Sequence, residues 1–283
     1  MAGHSPTVRR RRLGLELRQL REAAGLTLED VGEKLEWSGA KVSRIENARV
    51  RVSPRDVRDL LDVYGITDET RRKNLILLTR EARERAWWED YLDAVQPGVQ
   101  TVVGFETEAA ALHVYDAQLA NGLLQTEDYA RAVIRAIWTA DSPEQLERRL
   151  KLRMGRQGVL VKDDPPQLWS VLDESILHRR VGGADVLRGQ LRRLIEAAEM
   201  PNVTLQVLPF AAGAHAGVDG AFMIAEFPAP DPDIVHVEYR TGALFLDDKE
   251  QVLQYNRVYD RLQARAMDPD ESVERIIKLA AEL

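Results

Sequence analysis

The sequence predicts two domains of different class: a mainly α N-terminal domain of short helices joined by tight turns, and a C-terminal α+β domain with a small sheet. Three observations predict this. Apolar residues recur at helical spacing through the N-terminal quarter. Further on, β-rich runs such as Val203-Thr204-Leu205-Gln206-Val207 and Ile234-Val235-His236-Val237 alternate with helical stretches. The length of 283 residues suggests roughly two domains of about 150 residues each.

The helices can be justified in order. Leu13, Leu17, Leu20 and Ala24 fall on one helical face, and Gly25 follows as a stop. Thr27 is the expected N-cap of the next helix, whose stripe is Leu28, Val31 and Leu35, with Asp30 approximating a capping box. Gly32 lies inside that helix despite its low helix propensity, which points to close packing there. Trp37-Ser38-Gly39 makes a turn with Ser38 as N-cap of a third helix. Ser53-Pro54 opens a fourth helix with apolar face Val57, Leu60, Leu61 and Tyr64. Short helices joined by tight turns form the helix-turn-helix pattern.

Composition narrows the function classes. The chain is 45% hydrophobic and 30% charged, enough apolar material for packed cores. It has no cysteine, which excludes disulfides, cysteine-type zinc sites and thiol nucleophiles. The apolar runs are short, as at Ala109-Ala110-Ala111-Leu112, so no membrane span is expected. A basic run near the start lacks the apolar stretch of a signal peptide. The expectation is a cytoplasmic, nucleoid-associated protein. The net charge of -7 argues at first against a nucleic-acid partner. Yet residues 1–55 carry twelve Lys and Arg against seven acids, a formal +5, which leaves -12 on the other 228 residues. Such asymmetry suggests that one end meets a polyanion.

The stretch Leu20-Arg21-(x)3-Gly25-Leu26-Thr27-(x)3-Val31-Gly32-(x)2-Leu35-(x)2-Ser38-(x)3-Val42-Ser43-(x)-Ile45-Glu46-Asn47 resembles the phage-repressor-like (xenobiotic-response-element type) helix-turn-helix family over about 55 residues. It departs from the family pattern at Leu28, where a Gln often touches phosphate. It departs again at Glu36 and Ala48, where Gly is common. The resemblance implies that the third helix enters the major groove with its N-terminal part against base edges. Val42 and Ile45 share the inward face of that helix, and Ala40, Ser43, Arg44 and Asn47 lie opposite with Lys41 on the flank. Arg44 is the best base reader, because its fork bonds guanine O6 and N7 together. Ser43 is a weaker reader, and Ala40 offers an apolar contact. Asn47, Lys41, Arg49 and Arg51 are expected on phosphates. The resemblance also implies that Arg21 pairs with Glu46 as a structural clamp.

Beyond this motif a charged helical stretch is expected from about Asp68 to Asp93, with Leu75, Leu78 and Ala82 on one face and Trp87, Trp88 and Tyr91 following. Pro97-Gly98 marks a break. The expected organisation is a basic arm over 1–12, a DNA-binding domain over 13–80, a connecting helix or linker over 81–103, and an α+β regulatory or partner-binding domain over 104–283. In that domain helices are expected at 105–119, 126–139, 142–157, 184–199, 248–265 and 270–282. Strands are expected at 167–172, 203–208, 221–227 and 234–239.

The phrases Phe105-Glu106-(x)2-Ala109, Gly122-Leu123-Leu124-Gln125-Thr126-Glu127-Asp128-Tyr129-Ala130-Arg131, Arg153-(x)2-Arg156-Gln157, Leu172-Asp173-Glu174 and Val207-Leu208-Pro209, with His215, Phe222 and Glu238 beyond them, resemble a C-terminal domain of unknown function fused to this helix-turn-helix in actinobacterial regulators. The resemblance implies an antitoxin-like arrangement and a small protein partner encoded nearby.

Enzyme chemistry is the competing reading for this domain. Asp173, Glu174, His215, His236 and Glu238 are acid–base or ligand types, and Ala211–Gly220 could form a lid. No His-Glu-x-x-His, P-loop or Gly-x-Ser-x-Gly motif accompanies them. No catalytic, metal or cofactor site is therefore expected. The leading expectation is a homodimeric regulator on double-stranded DNA with a pseudo-palindromic operator. The alternatives are an antitoxin-like module and an enzyme domain tethered to DNA.

Overall fold

The computed structural model describes residues 6–83, 87–94, 98–229 and 231–283. These form two compact units, one reaching Glu89 and one spanning Asp90–Leu283.

The first unit is helical: α1 (Pro6–Ala23), α2 (Leu28–Leu35), α3 (Gly39–Glu46), α4 (Pro54–Val63) and α5 (Glu69–Glu81). Side-chain oxygens at the N-caps start four of them. Thr27 and Ser53 form reciprocal capping boxes with Asp30 and Asp56, and Ser38 and Asp68 accept from first-turn amides. The helices close over a core that includes Leu13, Leu17, Leu20, Val31, Val42, Ile45, Val57, Leu60, Leu61 and Leu75. Two glycines set how closely the backbones approach. A Cβ on Gly14 would stand 2.3 Å from the Glu46 carbonyl oxygen, and one on Gly32 would stand 2.8 Å from that of Trp37. Any side chain at Gly14 would therefore drive α1 off the C-terminal end of α3.

Two expectations are corrected here. Residues 6–12 of the presumed arm are the opening turns of α1, where Arg9 lies 3.6 Å from Glu81 and Arg12 lies 3.8 Å from Glu16. The basic run is helical because acids on its own and a neighbouring helix offset its charge. The helix expected to reach Asp93 ends instead at Glu81, and a 3-10 segment follows at Trp87–Ala94. There Trp88 is buried while Trp87 stays 44% exposed, so the adjacent indoles face different surroundings.

The second unit is built on a six-stranded mixed sheet in the order β3-β2-β1-β4-β5-β6. Its strands are β1 (Ala111–Asp116), β2 (Gln167–Asp173), β3 (Val203–Leu208), β4 (Phe222–Glu226), β5 (Ile234–Tyr239) and β6 (Gly242–Leu246). β1, β2 and β3 run parallel, in a register that sets Leu112 beside Leu168 and Leu168 beside Val203. The other half is antiparallel, with Val114 beside Met223 and His236 beside Phe245. α6 (Val99–Glu108) leads into β1; α7 (Glu127–Ile137) and α8 (Pro143–Arg156) lie between β1 and β2 in the chain; α9 (Ser175–His178) and α10 (Ala184–Ala198) lie between β2 and β3. α11 (Lys249–Gln263) covers one sheet face, where Tyr115, Val171, Phe222, Ile224 and Val235 meet Tyr259 and Leu262. α12 (Pro269–Glu282) packs beside α10 and β3. The result is the α+β class with a sheet that the sequence predicts.

The expected helix over 105–119 is corrected: α6 stops at Glu108 and residues 111–116 form β1. β1 is enclosed between β2 and β4, and Leu112, Val114 and Tyr115 are all buried. A strand covered on both faces loses the apolar–polar alternation that identifies strands, and its alanine-rich lead-in then reads as helix. β6 and the single-turn α9 were not foreseen.

Candidate nucleic-acid interface

α2 and α3 form the turn-linked pair at which the sequence points. Val42 and Ile45 anchor α3 in the core at 0% and 4% exposure. The opposite face is open: Ala40, Arg44 and Asn47 are exposed, and Lys41 and Ser43 are half-buried. Among the described residues the Arg44 side chain makes no hydrogen bond or ion pair, so its fork is unengaged. Arg49 is likewise exposed and unpaired.

The other expected site residues have partners. The Asn47 Nδ2 donates to the Ser43 carbonyl oxygen at 2.8 Å and to the Ser43 Oγ at 3.3 Å, so these two side chains hold one another along the helix. Lys41 sits with its ammonium 3.3 Å from the Trp37 ring centroid and 3.5 Å from an Asp56 oxygen. Both partners fix the charge beside the N-terminus of α3. Arg51 pairs with Glu89. The sequence reading missed Arg55, which is exposed, and whose side chain is unpaired among the described residues, one residue before Asp56. Only its neighbourhood with the residue that holds Lys41 brings it near this face.

Arg21 and Glu46 meet as a fork. Arg21 Nε and Nη2 donate to Glu46 Oε1 and Oε2 at 2.7 and 2.9 Å, while Nη1 donates to the Leu26 carbonyl oxygen at 2.8 Å. The guanidinium thus ties α1, the turn before α2, and the last residue of α3. Hydrogen bonding to Glu46 raises the Arg21 pKa above its ordinary value. Immediately outside this region two non-glycine residues have left-handed backbone: Glu36, which caps α2, and Ala48, just past α3, both at φ 56°. These are the two positions where the resembled family commonly has Gly.

The acid–base residues of the second unit serve separate structural tasks. Asp173 accepts from the Ser175 amide at 2.9 Å. Although burial opposes its charge, Glu174 is held below the usual carboxylate range because the Phe210 amide and Arg275 donate to it. His215 Nδ1 accepts from the Gly217 amide at 3.2 Å. His236 stacks on Phe245 with centroids 5.3 Å apart, and burial with the nearby Arg156 charge pulls its pKa down to about 4. Glu238 is exposed. Among the described residues no group of three or more His, Cys, Asp or Glu could hold a metal ion. No described helix is long and apolar enough to cross a membrane.

Residues 12–73 match a helix-turn-helix domain, which supports a DNA-binding, regulatory role. Neither the curated proteins nor the solved structures give a significant match. Residues 99–278 match the domain of unknown function DUF5753. Because that match covers more than half of the chain, the protein belongs to the DUF5753 family, here joined to an N-terminal helix-turn-helix domain.

Proposed function

We propose that the protein is a sequence-specific transcriptional regulator that reads double-stranded DNA through α3, with the DUF5753 region as its sensing, dimerising or partner-binding part. The observation that carries this reading is Arg44: an exposed guanidinium with no partner among the described residues, on the open face of an N-capped helix whose other face is buried. An arginine so placed is free to grip guanine O6 and N7. Ala40 stands ready for an apolar contact, and Ser43 and Asn47 read or position as a linked pair. Lys41, Arg49, Arg51 and the added Arg55 would meet phosphates. Arg21 and Glu46 act as the clamp that sets the angle of α3.

Two copies on a pseudo-palindromic operator would place their reading helices in successive major grooves about 34 Å apart. Affinity should fall steeply with salt, because each lysine or arginine on a phosphate releases counterions. The decisive experiment maps the DNA bound across the genome by wild type and by Arg44→Ala. A symmetric site with half-sites one helical turn apart, altered at one position in Arg44→Ala, is the expected result. Identical site preference in the two proteins would reject this placement of the reading face.

A further inference from the structure

α8 ends with two arginines on one face, and their surroundings differ. Arg156 grips Glu106 of α6 through Nε and Nη2 at 2.9 and 2.6 Å, and Glu106 is 3% exposed. That pair is complete. Arg153, one turn earlier, donates from Nη1 to the Gln125 side-chain oxygen at 3.0 Å. This is its sole side-chain hydrogen bond among the described residues, and no described carboxylate lies within ion-pair distance of it. The edge formed by Nε and Nη2, which Arg156 uses on Glu106, is therefore open on Arg153.

The surroundings hold that edge in place. Gln125 is fixed by donating to the Ala120 carbonyl oxygen at 2.7 Å, and Gln157 donates to the carbonyl oxygens of Gly122 and Gln125 at 3.2 and 2.6 Å. The loop so fastened runs against both guanidiniums: a Cβ on Gly122 would stand 3.7 Å from Arg156 Nη2 and 3.9 Å from Arg153 Nη1. Burial and the Arg156 charge pull the Arg153 pKa down to about 10, against the opposing pull of Glu238 and Glu106, neither of which forms an ion pair with it. His236 is uncharged near neutral pH and adds nothing, and Glu238 is exposed and solvated. Arg153 itself is half-buried.

We infer that the open edge of Arg153 is a binding site for the carboxylate of a small organic acid. A planar carboxylate matches the fork through two parallel hydrogen bonds. Glu106 and Glu238, both acting on Arg153, repel a phosphate dianion more than a monoanion. The inference concerns the DUF5753 region alone and stands or falls independently of DNA reading by α3.

The test uses the full chain near neutral pH, with thermal unfolding and the arginine Nε resonances followed as sodium acetate or sodium benzoate is added. Sodium chloride and sodium phosphate at matched ionic strength are the controls. A bound ligand raises Tm in a saturable way, and the carboxylates should do so beyond either control while shifting the Arg153 Nε signal. Arg153→Gln should weaken the effect at least ten-fold yet melt no lower than wild type, because it removes a cation that burial disfavours. Glu238→Gln should tighten binding by removing the competing acid. The inference is overturned if carboxylates act no more strongly than chloride, if phosphate alone saturates, or if Arg153→Gln keeps the wild-type response. Arg153→Gln melting well below wild type with no carboxylate effect in either protein would also overturn it, and would make Arg153 a structural tie to Gln125. DNA binding by Arg153→Gln should match wild type in the absence of added acid.

Discussion

Both units fasten themselves with the same device, an arginine fork on an enclosed glutamate: Arg21 on Glu46 in the first, Arg156 on Glu106 in the second. They differ in the charge beside the fork. In the first unit the side chains of Arg44, Arg49 and Arg55 stand at the surface without partners among the described residues. In the second, Arg153 and the buried Asp116 have no opposite charge at ion-pair distance among the described residues, and the Asp116 carboxyl accepts there only from the Ser170 hydroxyl at 3.1 Å. The first unit spends its uncompensated charge outward, where a polyanion can meet it. The second keeps it inside, where it responds to pH or to a small solute.

The largest effect should come from cutting either fork on one side. Glu46→Gln and Glu106→Gln each leave a guanidinium enclosed without its carboxylate, and each should destabilise its unit by about 3 kcal/mol. Adding Arg21→Gln or Arg156→Gln should recover part of that loss, which urea titration of single and double variants would measure. Wild-type stability in both single variants would mean the forks are decorative, and the likeness between the units would be gone.

Asp116 gives the next effect and separates the units by pH. Burial pushes its pKa from 3.8 up to about 7. A carboxyl group whose folded pKa is raised favours the folded state when protonated. Its contribution is complete below the unfolded value of 3.8 and is lost as pH rises through about 7. Asp116→Asn, which is always neutral, should therefore be more stable than wild type by a few kcal/mol at about pH 8 and nearly equal to it at about pH 4. Chemical denaturation at the two pH values checks this, with the transition of the first unit as internal reference. A gap that grows toward low pH would contradict the sign.

How much of this is visible in the sequence depends on the range of the interactions. The N-terminal unit is legible almost residue by residue, because Thr27, Ser38 and Ser53 cap the helices that begin immediately after them and the apolar stripes keep one period. Gly14 escapes notice there, since its neighbour is the Glu46 backbone, 32 positions away. β1 is misread because side chains on both its faces are buried, Leu112 and Val114 on one and Tyr115 on the other. The contrast between Arg153 and Arg156 is invisible in sequence: both sit in one short phrase, and only the fold decides which of them receives Glu106. At the interface, the residue types of α3 are legible, but the mutual bonding of Ser43 and Asn47 is not.

That bonding sharpens what to expect on DNA. Arg44 is free, so Arg44→Ala should relax preference at one base pair by about 1–3 kcal/mol. Asn47→Ala should act more weakly and more evenly across sequences, since its amide is already occupied by Ser43 and its expected role is with phosphate. Binding assays on a site and its single-base variants would resolve the two. Equal discrimination losses in both variants would shift the reading role toward the C-terminal end of α3.

The smallest effect tests the backbone. In the second unit every described residue with a left-handed backbone is a glycine, whereas in the first Glu36 and Ala48 adopt φ 56° with side chains attached. A side chain in that region costs about 1–2 kcal/mol, from the crowding of Cβ against the following carbonyl. Glycine removes the crowding but loses more conformational freedom on folding, about 0.5–1 kcal/mol. The balance for Ala48→Gly is a gain of about 0.5–1 kcal/mol, and Glu36→Gly should behave alike. The reverse change in the second unit should destabilise: Gly182→Ala puts a Cβ at φ 70° and 3.0 Å from a Val186 methyl. Denaturant midpoints of the three variants decide the matter. If Ala48→Gly lowers the midpoint instead, the turn after α3 gains something from the methyl that outweighs backbone strain, and the first unit tolerates its two departures for a reason of packing.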